Sequence, residues 1–248
     1  MKSKYDILIP VAAKDYNKLR FVCESIVKNI QGYNKIYIIS PTAISDFDMY
    51  LDAVYLNDRD VIDFDFSRIN MPGRRGWYRQ QFIKLFQQVT LDNYLVVDSD
   101  IWIDSKLEVD PSNPVFYLGK DQCHDPYFRL TADLFGLVKR FDHSFISEIM
   151  LFNRRLICTF LSSHNIDEYQ FFDLVADKIN EMNDNSGFSE YEFYGTYIFT
   201  KHRDRYGFKK LNVKHTAKKS VWSVKEMEDH IRKYSGNGYD ILTMHSWI

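Results

Sequence analysis

A chain of 248 residues with 45% hydrophobic and 27% charged side chains has the make-up of an ordinary globular protein, long enough for one large α/β domain. Its formal net charge of −2 excludes a global basic field that would draw it to nucleic acid or anionic lipid, so any anion site must be local. Cys23, Cys123 and Cys158 are odd in number and widely spaced, which argues against a disulfide framework or a zinc cluster and fits a reducing, cytoplasmic compartment.

The opening MKSKYDILIPVAAKD holds only a short apolar run before Lys14 and Asp15, so it is expected to be a strand and not a signal peptide. No segment approaches the roughly 20 apolar residues of a membrane span; peripheral attachment at the cytoplasmic face stays open. YDILIPV (5–11) has the near-continuous apolar pattern of a strand covered on both faces. In the following KDYNKLRFVCESIVKNI, Leu19, Val22, Ile26 and Ile30 recur at helical spacing. KIYIIS (35–40), stopped by Pro41, is a second buried strand, and AVYLND (53–58) a third. Strand, helix, strand predicts a right-handed crossover and a parallel sheet. Ligands of such sheets sit beyond the carboxyl ends of the strands, where Val11 to Ala13 and Ser40 lie.

MPGRRGWYRQQFIKLFQQV (71–89) predicts a basic, glycine-punctuated loop leading into an amphipathic helix. Phe82, Leu85, Phe86 and Val89 form its apolar face, with Gln80 and Lys84 one turn apart on another. A strand ending in two acids follows, then a strand at PVFYLG (114–119). Strands are further expected at SEIMLFN (147–153) and near 208–213, and helices at 154–165, 167–182, 189–202 and near 224–234. KDQCHDPYF (120–128) and FDHSF (141–145) are expected to be polar loops. No repeat, linker or low-complexity tract interrupts the chain.

The segment NYLVVDSDIWI (93–103) concentrates the chemistry. In an extended segment alternate side chains share a face, so Asp98 and Asp100 point the same way. Together they offer the hard oxygen ligands that Mg²⁺ or Mn²⁺ prefers, and an ion held there can neutralise charge on a departing phosphate. The same segment resembles the D-x-D-x-T nucleophile loop of haloacid-dehalogenase-like phosphatases, but Trp102 stands at the Thr position.

Three ordered blocks, DILIPV.AKD at the start, GWYRQQFIKL before the D-x-D, and SEYEFYGTY about ninety residues after it, resemble a group within the GT-A-fold nucleotide-sugar glycosyltransferases. The resemblance implies a Rossmann-like, mixed and mainly parallel sheet flanked by helices. It implies a single domain over 1–248, with a nucleotide-binding half at 1–104 and an acceptor-binding half at 105–248. It also implies that Pro10 and Val11 lie against the uracil-like base, that Asp98 meets the ribose or a metal-bound water, and that Asp100 binds the metal. In several such families a C-terminal His completes the metal shell; MHSW offers His245, with His215 as competitor.

Around this centre, Arg74, Arg75 and Arg79 can offer forked donors to phosphate oxygens and Lys84 a point charge. Gln80 and Gln81 can read hydroxyls of the sugar, and Ser40 belongs to the donor side. Ser189 and Glu192 fit a capping box, which leaves Glu190 available as general base for an acceptor hydroxyl. The resulting expectation is transfer of a sugar from a UDP-sugar to a glycan or glycoconjugate hydroxyl, assisted by Mn²⁺ or Mg²⁺. A sugar-1-phosphate nucleotidyltransferase is the alternative, although PVAAKDYN stands where that class carries a glycine-rich basic loop.

Overall fold

The computed structural model describes residues 4–42, 53–118, 124–216 and 221–246. The first half runs β1 (Asp6–Pro10), α1 (Tyr16–Asn29), β2 (Ile36–Ser40), β3 (Ala53–Asn57), the short α2 (Asp58–Val61), α3 (Arg75–Phe86), β4 (Asn93–Val97) and β5 (Ile101–Ile103). It continues through β6 (Val115–Leu118), α4 (Asp125–Phe135), β7 (Ile149–Asn153), α5 (Arg154–Ser163), α6 (Glu168–Met182) and α7 (Glu190–Lys201). The end is β8 (Gly207–Lys210), β9 (Val213–Lys214), α8 (Val224–Tyr234) and β10 (Ile241–Thr243).

The central sheet has the order β3-β2-β1-β4-β7, parallel except for β7, which runs antiparallel to β4. Strand alternation divides its residues between two cores. Leu8, Ile39, Val96 and Met150 join α3, α5, α6 and α7 on one face, whereas Ile7, Ile9, Ile38 and Val97 join α1 on the other. This explains the unbroken apolar runs in β1, β2 and β4: both faces are covered. Asp6 is buried within β1 because it is satisfied. It accepts from Asn34 Nδ2 at 3.0 Å, Lys35 N at 3.1 Å and Leu91 N at 2.7 Å.

Much of the aromatic content fills the α3 side. Phe64 stacks on Phe172 at 5.1 Å, and Phe82 meets Phe172 edge-on at 5.0 Å. Against the same layer, α7 approaches so closely that a Cβ on Gly195 would collide with the face of the Phe145 ring. Gly195→Ala is therefore expected to destabilise the chain by about 1–3 kcal/mol through overpacking. Urea denaturation checks this; an unchanged midpoint would show that the contact can relax.

Two expectations need correction. Residues 125–128 are not loop but the first turn of α4, which includes Pro126; Gly136, at φ 64°, closes the helix as Gly136 N donates to Ala132 O and Leu137 N to Thr131 O. Gly119 to Cys123 lie outside the described residues. The capping box at α7 is only half formed. Ser189 Oγ accepts from Glu192 N at 3.4 Å, but the Glu192 carboxylate turns to Lys139 Nζ at 2.7 Å, Ser144 Oγ at 2.6 Å and Phe145 N at 3.0 Å. Glu192 thus pins the 139–145 loop to the helix. Among the described residues no helix is long and apolar enough to cross a membrane.

Candidate functional site

Two antiparallel pairings assemble the site. In the first, β4 pairs with β7 so that Val97 opposes Ile149, which sets the residue after one strand beside the residue before the other. Asp98 N accordingly donates to Glu148 O at 2.9 Å. In the second, β5 pairs with β10 so that Ile101 opposes Thr243, and Met244 N donates to Asp100 O at 2.7 Å. The D-S-D turn is therefore latched on one side to the entry of β7 and on the other to the segment that follows β10.

His245 reaches the same place from that segment. Its Nε2 lies 3.5 Å from Glu148 Oε1 and 3.9 Å from Asp100 Oδ1. One donor atom from each of Asp100, Glu148 and His245 lies within 4.8 Å of the others. Two carboxylate oxygens and an imidazole nitrogen form a donor set that could hold a divalent metal ion. Burial pushes the carboxyls of Asp100 and Glu148 above their ordinary range, with His245 pulling against it. For His245 burial works downward, but the facing carboxylates of Glu148 and Asp100 overcome it and push the imidazole up to about 9. The C-terminal segment is fixed from behind. Trp222 Nε1 donates to His245 O at 3.1 Å, and the fully buried Lys18 donates to Ser246 Oγ at 2.8 Å.

Asp98 has a different environment from Asp100. Its Oδ1 accepts from Lys84 Nζ at 2.7 Å and from the Tyr191 hydroxyl at 2.9 Å. The same Lys84 Nζ donates to Glu190 Oε1 at 2.7 Å and sits 4.4 Å from the centre of the Tyr191 ring. Lys84 comes from α3 and Glu190 from the first turn of α7, so two helices meet over the end of β4. Burial raises the Glu190 carboxyl, while Lys84 opposes the rise. Gln81 is buried beside it: its Oε1 accepts from Glu190 N at 3.2 Å, and its Nε2 is buried with no hydrogen-bond partner.

The remaining sequence-nominated residues lie farther from the turn in their contacts. Pro10 and Val11 are buried at the carboxyl end of β1, with Val11 N donating to Ile39 O at 2.8 Å. Ser40 donates to Thr42 O at 2.6 Å. Arg79 sits 3.6 Å from Asp58 and over the Phe66 ring. Arg74 and Arg75 spend their forks on protein oxygens, Arg74 on Asn185 O and Ser186 Oγ, Arg75 on Ile69 O and Ser67 O. Gln80 is half-buried. His215 stands outside the donor cluster, its ring centre 6.5 Å from that of His245. Trp247 of MHSW is outside the described residues.

No protein-family model matches the chain, and no curated protein matches its sequence. Solved structures do match. Mouse xyloside xylosyltransferase 1, in its apo form, is 14% identical with a TM-score of 0.51, over 97% of this chain and 97% of that one. The match spans nearly the full length of both chains.

The chain has the GT-A fold.

The glycosyltransferase GlyE of Streptococcus pneumoniae is 13% identical with a TM-score of 0.44, covering 98% of this chain and 55% of that chain. The galactosyltransferase LgtC, solved with donor and acceptor sugar analogs, is 10% identical with a TM-score of 0.47, over 96% and 86% of the two chains. Within this GT-A fold the D-S-D turn lies at the carboxyl end of β4, next to β1. Sequence reasoning missed Glu148, which it placed inside a strand. The strand starts one residue later, at Ile149, and an acid at the entry of an apolar run was the only local signal.

Proposed function

We propose that this GT-A chain is a metal-dependent glycosyltransferase that moves a sugar from a nucleoside-diphosphate sugar, a UDP-sugar, to a hydroxyl of a glycan or glycoconjugate. The observation that carries the reading is the cluster of metal-type donors at Asp100 and His245, latched at the carboxyl end of the central sheet, where open α/β sheets hold their ligands.

Asp100 and His245 would hold Mn²⁺ or Mg²⁺. When bound, such an ion supplies positive charge against a diphosphate leaving group. Lys84 fixes two carboxylates at once: it directs Asp98 toward the donor side and Glu190 toward the acceptor side. Glu190 is the proposed base for the acceptor hydroxyl, and its burial-raised pKa moves it toward the range in which a carboxylate accepts a proton efficiently. Pro10, Val11 and Ser40 are assigned to the donor-base side, and Arg79, Gln80 and Gln81 to the sugar and diphosphate.

The phosphatase alternative lacks its threonine, since Trp102 stands at that position. A panel of nucleotide sugars incubated with and without Mn²⁺ tests the proposal. UDP release from a UDP-sugar only in the presence of the ion is the expected result. Phosphate release from simple monoesters, or formation of a nucleotide sugar from a nucleoside triphosphate and a sugar 1-phosphate, would overturn it.

A further inference from the structure

Glu148 is out of place by backbone criteria. Its φ is 65°, in the left-handed region that glycine and asparagine enter readily and a long side chain does not. The other described non-glycine residues at positive φ are Asn165 and Asn183, which tolerate that conformation. Nor has the Glu148 carboxylate a lysine or arginine partner among the described residues; it faces His245 at 3.5 Å. Asp98 and Glu190 share Lys84, and Glu192 has Lys139. Among the described residues, the only cationic side chain within ion-pair distance of Asp100 or Glu148 is His245. Two half-buried carboxylates facing one imidazole leave the cluster short of positive charge.

We infer that Glu148 is a third protein ligand for the divalent ion, so that the chain takes up the ion before, and without, the nucleotide. This rests on the reading of the cluster as a metal centre, and it adds an order of assembly to that reading. Affinity for a hard cation rises with the number of charged ligands and with their rigidity. The site has both properties. Asp98 N to Glu148 O at 2.9 Å fixes the backbone that carries Glu148, and Met244 N to Asp100 O at 2.7 Å fixes the two that carry Asp100 and His245. Those donors therefore need little reordering when the ion arrives. Glycine would fit the left-handed backbone without strain, so the carboxylate is held there against a local preference.

Electron paramagnetic resonance and calorimetric titration of Mn²⁺ alone into the nucleotide-free chain test the inference. The wild-type chain is expected to bind one Mn²⁺. Glu148→Gln, which keeps the shape, and Glu148→Gly, which suits the backbone, are each expected to lose on the order of 100-fold in that affinity. With UDP present both variants should still bind Mn²⁺, because Asp100, His245 and the diphosphate remain. The glycine variant should melt at or above the wild-type temperature, which separates loss of a ligand from loss of fold. A wild-type chain that takes up no Mn²⁺ until UDP is added overturns the inference, as do variants with wild-type affinity for Mn²⁺ alone. Failure of the glycosyltransferase reading has a separate signature: Mn²⁺ binds, Glu148 matters, and no nucleotide sugar is turned over.

Discussion

Asp100→Ala is expected to weaken Mn²⁺-dependent binding of UDP strongly and to lower sugar transfer by about a thousandfold or more, since a Lewis-acid ion supplies several kcal/mol of transition-state stabilisation. The fold should survive. Asp100 contributes its main-chain carbonyl to Met244 N, and that bond does not depend on the side chain. Removing the carboxylate also relieves the repulsion between Asp100 and the nearby Asp98 and Glu148, while His245 keeps Glu148 as partner. Calorimetry of UDP with Mn²⁺, alongside a thermal melt, reads both halves. Undiminished binding in a folded variant would remove the metal assignment, and with it the proposed reaction.

Lys84→Met is expected to act on stability first. The ammonium lies 2.7 Å from a carboxylate oxygen on either side, with only 10% of the side chain exposed. Its removal strands two acids in a buried place, a change that typically costs about 3–5 kcal/mol. The pH dependence has a definite sign. Even with Lys84 present, burial holds the Glu190 carboxyl above its ordinary value, so the folded chain binds that proton more tightly than the unfolded chain does. The associated stability is present at low pH and is lost as pH rises through the folded value. Without Lys84 the folded value rises further, so the deficit should be largest at neutral pH and should narrow toward about pH 5. Urea denaturation at both pH values checks this, and adding Glu190→Gln should return part of the loss. A deficit independent of pH would mean that Lys84 acts by packing alone.

The legible parts of the fold were those with a local signature. Apolar runs marked β1, β2 and β4, because a strand buried on both faces has no polar alternation to hide it. The spacing of Leu19, Val22 and Ile26 marked α1, and those residues share one core with the sheet residues Ile7, Ile9 and Ile38. By contrast α4 was hidden: its start signal, Pro126, and its stop, Gly136, bracket a short helix preceded by a polar segment that resembles loop. At α7 the motif S-x-x-E named the N-cap correctly, yet the glutamate was claimed by a loop some fifty residues earlier, a competition no local rule can see.

The candidate site divides along the same line. Hydrophobic periodicity predicted, without coordinates, a parallel α/β sheet, the resemblance to GT-A glycosyltransferases implied a mixed one, and the acidic pair at the end of an apolar run named Asp98 and Asp100 as candidate site residues. Only the tertiary structure separated those two acids, giving Asp98 to Lys84 and Tyr191 and Asp100 to His245 and Glu148. The reason is that periodicity is a property of neighbours along the chain. The antiparallel pairings β4 with β7 and β5 with β10 join segments far apart in sequence, and their register is set by the packing of whole layers.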